Sequence, residues 1–459
     1  MMRTDTQDEK NTKKAPRRVY LLALLLDLLA LAANQLAVSS SAFANAYSHY
    51  VYRVLSLGIG SVTGLLPFSV VELLLYATIL FVLFDFVKQL RRAIRAGVAR
   101  PLRRFLGHLF LILSALLVLY VFLCGINYHR TSFSEEADLS VTLDEHGTVY
   151  DEADLIALCD YLVTEINDTE AQLAASAASD AGASTLRAHT STDAGTAEEE
   201  TGSTTGPDTG ADTTSATTIK SPTATAEASG SSGADNAATS TIEVEGACIG
   251  QTSETPKPSA AWLWHAGRTG QRAMEKLGQR YRRLSGHYPY PKPILNTWIL
   301  SVQQTTGVYS PFTVEANYNR DIAYYDIPFT ICHELSHLRG YMQEEEANFI
   351  GVLATIGADD LYFNYSGYVS AWVYAGNALA QIDSTAFATL YSRINARTRQ
   401  DMLYNNAYWQ QFEGKPAEAH EQLNDAYLKM QGQTSGVRSY GHVTDLMLEY
   451  FAKNGTLTQ

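Results

Sequence analysis

Three stretches of the chain are continuously apolar, and charge borders each of them. Val19 to Val38, Ser69 to Val87 and Phe105 to Ile126 have roughly the 20-residue length that crosses a bilayer as a helix. Lys10, Lys13, Lys14, Arg17 and Arg18 precede the first run, and Lys88, Arg91, Arg92, Arg95, Arg100, Arg103 and Arg104 separate the second from the third. Positive loops stay in the cytoplasm. The pattern therefore predicts a cytoplasmic basic tail over 1–18, a membrane domain over 19–126 with spans at 19–38, 69–87 and 105–126, and an extracytoplasmic remainder. Ala42-Phe43-Ala44 resembles a signal cleavage site, but the first apolar run is longer than the ~7–15 residues of a signal peptide, so a retained anchor is expected. Asp27, Glu72 and Asp85 lie in or at the ends of the spans, where an ionisable group needs a partner or a role. Gly58, Gly60 and Gly64 predict turns or close helix packing, since no strand precedes them as a nucleotide-binding loop requires.

Beyond the membrane the pattern changes twice. Residues 127–166 open the external domain with a helix near Glu152 to Ile166. Between Tyr161 and Trp262 there is no Phe, Tyr or Trp, and Ala, Ser, Thr, Gly, Asp and Glu predominate. Such a segment cannot bury enough apolar surface to offset its conformational entropy, so 167–257 is expected to be a disordered, mostly acidic insertion. From 258 to 459 the pattern predicts a helix at Ala260 to Leu284, a short strand at Pro291 to Leu295, and a strand or hairpin at Val308 to Asn319. Helices are then expected near Ser366–Ile382, Ser384–Ala396, Gln400–Glu413, Pro416–Met430 and Val437–Ala452. The fold class is α+β, a mostly helical external domain with a small sheet, behind three transmembrane helices.

The chemistry concentrates in Pro328-Phe329-Thr330-Ile331-Cys332-His333-Glu334-Leu335-Ser336-His337. Asp326 and Pro328 suit a helix start, and His333 and His337, four apart, project from one helical face. Two histidines and a glutamate in an apolar helix are costly without a partner. The H-E-x-x-H spacing supplies one, a zinc ion held by both imidazoles with Glu334 beside it as general base. Gly340 breaks the helix, and Met342 to Ala358 reads as a second one. On it, Glu344, Ala347 and Asn348 fit the E-x-x-A-(D/N) pattern of glutamate-ligated H-E-x-x-H enzymes. Glu344 is thus the expected third ligand, Glu346 its alternative, and Asn348 the residue that orients a ligand histidine. Zinc so held would keep one position open for water.

The chain resembles a bacterial membrane-protein family known only as domain of unknown function 3810. The resemblance rests on Gly125-Ile126-Asn127-Tyr128-His129-Arg130, Pro311 to Asn317, His333 to His337, Glu344 to Phe349, Tyr365-Ser366-Gly367-Tyr368, Asn424 to Lys429 and Ser439-Tyr440-Gly441. It covers nearly the whole chain except the insertion. It implies a membrane-anchored protein with a zincin-like domain and metallopeptidase activity, and names no substrate. The chain departs from the family at His129, where a second aromatic is expected, and at His442, where arginine is expected.

In such peptidases an edge strand holds extended substrate by backbone pairing. The 308–319 strand, with Thr313, Glu315 and Asn317, is the expected substrate-binding element. Tyr440 and His442 are the expected donors to the oxyanion. The net charge of −14, from 34 basic and 48 acidic residues, argues against nucleic acid as a partner. Of four cysteines, Cys124 falls in a span, Cys332 precedes His333 and packs into the core, and Cys159, before the insertion, and Cys248, near its end, could pair outside the cytoplasm, though nothing in the sequence fixes their distance. The function expected is a membrane-anchored zinc metallopeptidase acting on peptides or envelope proteins outside the cytoplasm. A non-catalytic sensor or scaffold and a cell-wall peptide amidase are the alternatives.

Overall fold

Three helices, within Arg18–Ser39, Val70–Ala96 and Arg100–His129, are long and apolar enough to cross a membrane. The structure, a computed structural model, describes residues 5–139, 150–190, 258–430 and 440–458. Leu21, Leu25, Leu80 and Leu113 on these helices are all more than half exposed, an apolar surface of the kind that faces lipid in membrane proteins. The first and third helices pack along each other and the second packs on the third. Asp85 and His108 pair across the second and third at 2.9 Å, and Gln89 donates to Asp85.

The segment between the first two spans is helical, running through Ser41–Tyr47, a π-helical turn at Ser48–Tyr52, and Arg53–Thr63. Ala44, Tyr47 and Tyr52 share one continuous core with Ile331, Phe349 and Trp372. Residues between the first two spans thus pack into the same core as residues beyond 127. Gly60 and Gly64 pack against Pro289, the close approach that the sequence predicts there.

The expected strand at 308–319 is a hairpin. Strands β1 (Lys292–Pro293), β2 (Gly307–Ser310) and β3 (Glu315–Tyr318) form a sheet in the order β1-β3-β2, with β1 parallel and β2 antiparallel to β3. Glu315 in the central strand forms a buried ion pair with Lys292 and accepts the amides of Val70 and Val71, at 3.1 and 2.8 Å, which start the second membrane helix. Glu72, one turn into that helix, accepts the amides of Leu295 and Asn296 at 2.8 and 2.9 Å. Carboxylates at a helix N-terminus satisfy its orphan N–H groups and oppose its dipole. Glu315 and Glu72 thus key the sheet to the membrane helix from both directions.

The helix Asp326–His337, which carries the two histidines of the H-E-x-x-H pattern, has every residue buried. Its apolar residues Ile327, Phe329, Ile331, Cys332 and Leu335 fill the core, each large side chain contributing about 1.5–3 kcal/mol by burial. Around it lie Ala260–Arg280, Glu344–Ile356 and Leu361–Ile382. Ser366 accepts the Phe329 amide at 3.1 Å and donates to the Tyr325 carbonyl, fixing the first turn. The remaining helices, at Ser384–Arg393, Ala396–Gln410, Lys415–Met430 and Tyr440–Asn454, match the expected ones within a few residues. The helix expected to end at Ile166 continues as Glu152–Thr190. The rest of the insertion, and with it Cys248, lies outside the described residues.

Candidate metal centre

The helical spacing of His333 and His337 brings their Nε2 atoms to 3.1 Å. Gly340, at φ +83°, takes the left-handed conformation that glycine adopts without strain and turns the chain back. The next helix then begins at Glu344. Its carboxylate oxygens lie 3.3 Å from His333 Nε2 and 3.7 Å from His337 Nε2. Gly351 lets the two helices close, since a Cβ there would fall 3.1 Å from the Phe329 ring and 3.4 Å from the His333 amide.

Among the described residues His333, His337 and Glu344 are the group placed to hold a metal ion, with ligand atoms within 4.8 Å of one another. Tetrahedral zinc with bonds of ~2.0–2.1 Å separates its ligand atoms by roughly 3.3 Å, and the three observed separations bracket that value. Two imidazoles and one carboxylate also make a recognised donor set for zinc with an open position. The residues present fit the ion. Burial lowers the His337 pKa to about 4, which leaves the ring neutral, the form that binds metal. The Tyr341 carbonyl sits 2.7 Å from His337 Nδ1 and sets the ring so that Nε2 faces the site.

Glu334 is buried beside this group. Burial, and then the Glu344 carboxylate, hold its pKa well above the usual carboxylate range. The residue that shapes its surroundings is Gly307 at the start of β2. A Cβ at 307 would fall 2.6 Å from Glu334 Oε1 and 2.7 Å from Thr330 Cγ2. The sequence signal for Gly307 was a glycine at a strand start, which marks close backbone approach.

The other expected site residues are placed as follows. Glu346 faces away from the ligand group: it accepts the Phe133 amide at 2.6 Å, and burial raises its pKa to about 7. Asn348 Oδ1 and His333 Nδ1 are both buried without a hydrogen-bond partner, so the expected bond from Asn348 to a ligand histidine is not formed. His442 acts electrostatically on Glu345 and Asp445. Tyr440 starts the last helix, and its side chain lies outside what the structure describes. Thr313 donates to Ser310 at 3.0 Å, Glu315 is taken up by Lys292 and the membrane helix, and Asn317 bonds backbone carbonyls within the sheet. The hairpin puts these three in its turn and central strand and leaves the edge to Gly307–Ser310.

The chain belongs to the family described as a protein of unknown function, DUF3810, whose model matches residues 47–448. No curated protein and no solved structure matches it.

Proposed function

We propose that this protein is a membrane-anchored, zinc-dependent metallopeptidase with a zincin-like active site facing outside the cytoplasm. The observation that carries the reading is the position of Glu334, a buried carboxylate set between the His333, His337 and Glu344 donors and the backbone of an edge strand. His333, His337 and Glu344 would hold the ion. Zinc supplies a Lewis acid that polarises a carbonyl and brings water to a usable pKa.

Glu334 takes the proton of the attacking water and returns it to the departing amine. A raised pKa suits a group that must hold a proton between those two steps. Strand β2 pairs on one side only, with β3, and its other edge offers backbone groups to an extended peptide, giving affinity with little side-chain selectivity. The basic residues at the opposite ends of the membrane helices, Arg91 to Arg104, support the outward orientation.

The test uses the full-length protein in detergent. Metal content is measured for wild type, Glu344→Ala, Glu346→Ala and Glu334→Gln, and each is assayed against a peptide library and against cell-wall muropeptides. One zinc per chain, lost in Glu344→Ala, kept in the other two, with peptide cleavage lost in Glu334→Gln, is the expected result. Wild-type protein that binds no metal after zinc loading would sink the reading. Muropeptide cleavage without peptide cleavage would reassign it to an amidase.

A further inference from the structure

A polar cavity lies just past the end of the helix Asp326–His337, where Leu338 and Arg339 meet the segment after the first membrane helix and Arg130 after the third. Its volume is about 310 Å³, and Arg53, Arg130, Arg283 and Arg339 line it together with Ser48 and His49. Cavities of this size accommodate small ligands.

The arginines are held but not neutralised. Arg130 stacks 4.3 Å from the Tyr341 ring centre and Arg339 stacks 4.1 Å from that of Tyr288. Arg130 Nη1 donates to Ser48 Oγ and to the Arg339 carbonyl, at 3.1 and 2.7 Å. Arg339 Nη2 donates to the His287 carbonyl at 2.6 Å, and Arg53 Nη2 donates to Ser285. None of these partners carries charge. Arg130 and Arg339 are only 8% and 7% exposed, and their Nε atoms have no hydrogen-bond partner among the described residues. Of the four, Arg283 alone has a carboxylate within ion-pair distance among the described residues, Glu136 at 3.7 Å. Glu346 also acts on Arg130 from its position on the Phe133 amide. Arg53 and Arg339 converge: a Cβ on Gly286 would lie 3.4 Å from Arg53 Nη2 and 3.3 Å from Arg339 Nη2.

A chain with net charge −14 that gathers four guanidinium groups around one cavity, with only one of them at ion-pair distance from a carboxylate among the described residues, has built a place for an anion. Desolvated cations of this kind are costly without a counter-charge, and the planar guanidinium fork matches phosphate oxygens two at a time. The location selects among anions. The lining segment begins a few residues after the first membrane helix ends at Ser39, and Arg130 directly follows the third at His129. Tyr50, Val51 and Val54 beside the cavity are 71%, 43% and 68% exposed, which continues the apolar membrane surface up to its rim. A polar, cationic cavity at the end of a membrane bundle with an apolar lip fits a lipid headgroup.

We infer that Arg53, Arg130 and Arg339 form a binding site for a phosphate group presented at the membrane surface, the headgroup phosphate of an anionic lipid. The bound phosphate also braces the helix Asp326–His337, because Arg339 lies two residues beyond His337 and Tyr52, in the same lining, bonds the His337 and Leu338 carbonyls.

The test titrates full-length protein, in uncharged detergent at fixed ionic strength, with short-chain phosphatidylglycerol, short-chain phosphatidylcholine and inorganic phosphate. Binding is read by native mass spectrometry and thermal unfolding. Phosphatidylglycerol should bind best, and Arg53→Gln and Arg339→Gln should each weaken it roughly tenfold, as removal of one charge-assisted hydrogen bond does. Arg53→Gln, in a half-exposed position, keeps the test valid if Arg339→Gln fails to fold. Arg397→Gln, on a helix remote from the cavity lining, should bind as wild type. Phosphate binding as tightly as the lipid, with the same arginine dependence, would uphold the site and place its ligand in solution. Lipid binding unchanged in Arg53→Gln and Arg339→Gln, or phosphatidylcholine binding as tightly as phosphatidylglycerol, would overturn the inference.

Discussion

Gly307 and Glu334 are packed so closely that a single added methyl group would lie 2.6 Å from the carboxylate oxygen. The edge strand and the helix bearing His333 and His337 therefore share a surface with no slack, and the position of Glu334 is set by a residue that has no side chain. Gly307→Ala should displace Glu334 or the strand, destabilising the protein by about 1–3 kcal/mol as overpacking does. Zinc should stay bound while peptide cleavage falls. Metal analysis and turnover on the same sample check this; undiminished turnover in a folded Gly307→Ala protein would remove Gly307 from the account.

The Lys292–Glu315 pair is almost wholly buried, at 1% exposure for both side chains. Removing one partner leaves the other charged and unpaired, at a cost of about 3–5 kcal/mol. Lys292→Met and Glu315→Gln should each lower the thermal midpoint of full-length protein steeply, and the double variant should recover part of the loss. A double-mutant cycle measures the coupling, and additive effects would count against it.

Tyr52 comes from the segment between the first two membrane helices, yet its hydroxyl lies 3.3 Å from the carbonyls of His337 and Leu338 and 3.1 Å from the Tyr309 hydroxyl. Tyr52→Phe should cost about 1–2 kcal/mol for these bonds and weaken metal affinity, because the end of the helix bearing His337 is then less fixed. A fragment of residues 127–459 lacks Ala44, Tyr47 and Tyr52 from its core and should unfold without cooperativity. Calorimetry and circular dichroism of the two proteins test these outcomes.

Asp326, in the first turn of the helix bearing His333 and His337, has its pKa pushed up from 3.8 to about 8 by burial, with a hydrogen bond to Asn405 opposing the shift. Its folded-state pKa is therefore above its unfolded one, and folding takes up a proton. The stabilisation is complete below pH 3.8 and disappears as pH rises through about 8. Asp326→Asn, which keeps the shape of the protonated form, should be more stable than wild type at pH 9 and show a flatter profile between pH 5 and 9, values that flank the shifted pKa of about 8. Denaturant unfolding across that range decides it; parallel profiles would mean that Asp326 is ionised throughout.

The sequence alone determined the three long apolar helices, the order and type of most later helices, and the candidate group His333, His337 and Glu344 with Glu334 beside it. These signals are local. An apolar run of bilayer length, an i to i+4 pair of histidines and a glycine break followed by glutamates are written within one or two turns of chain, and helical geometry does the rest. Tertiary structure decided which glutamate faces the histidines, because Glu344 and Glu346 differ by two residues on a helix and only packing selects the face. It decided that the edge of the sheet is Gly307–Ser310 and not the strand bearing Glu315 and Asn317, since strand order depends on pairing across the chain. It also turned the expected outer loop at 41–63 into part of the core. Finally, it brought Arg53, Arg130 and Arg339 together around one cavity. They are separated by 77 and 209 residues in sequence, and no local pattern records a contact that long-range packing alone creates.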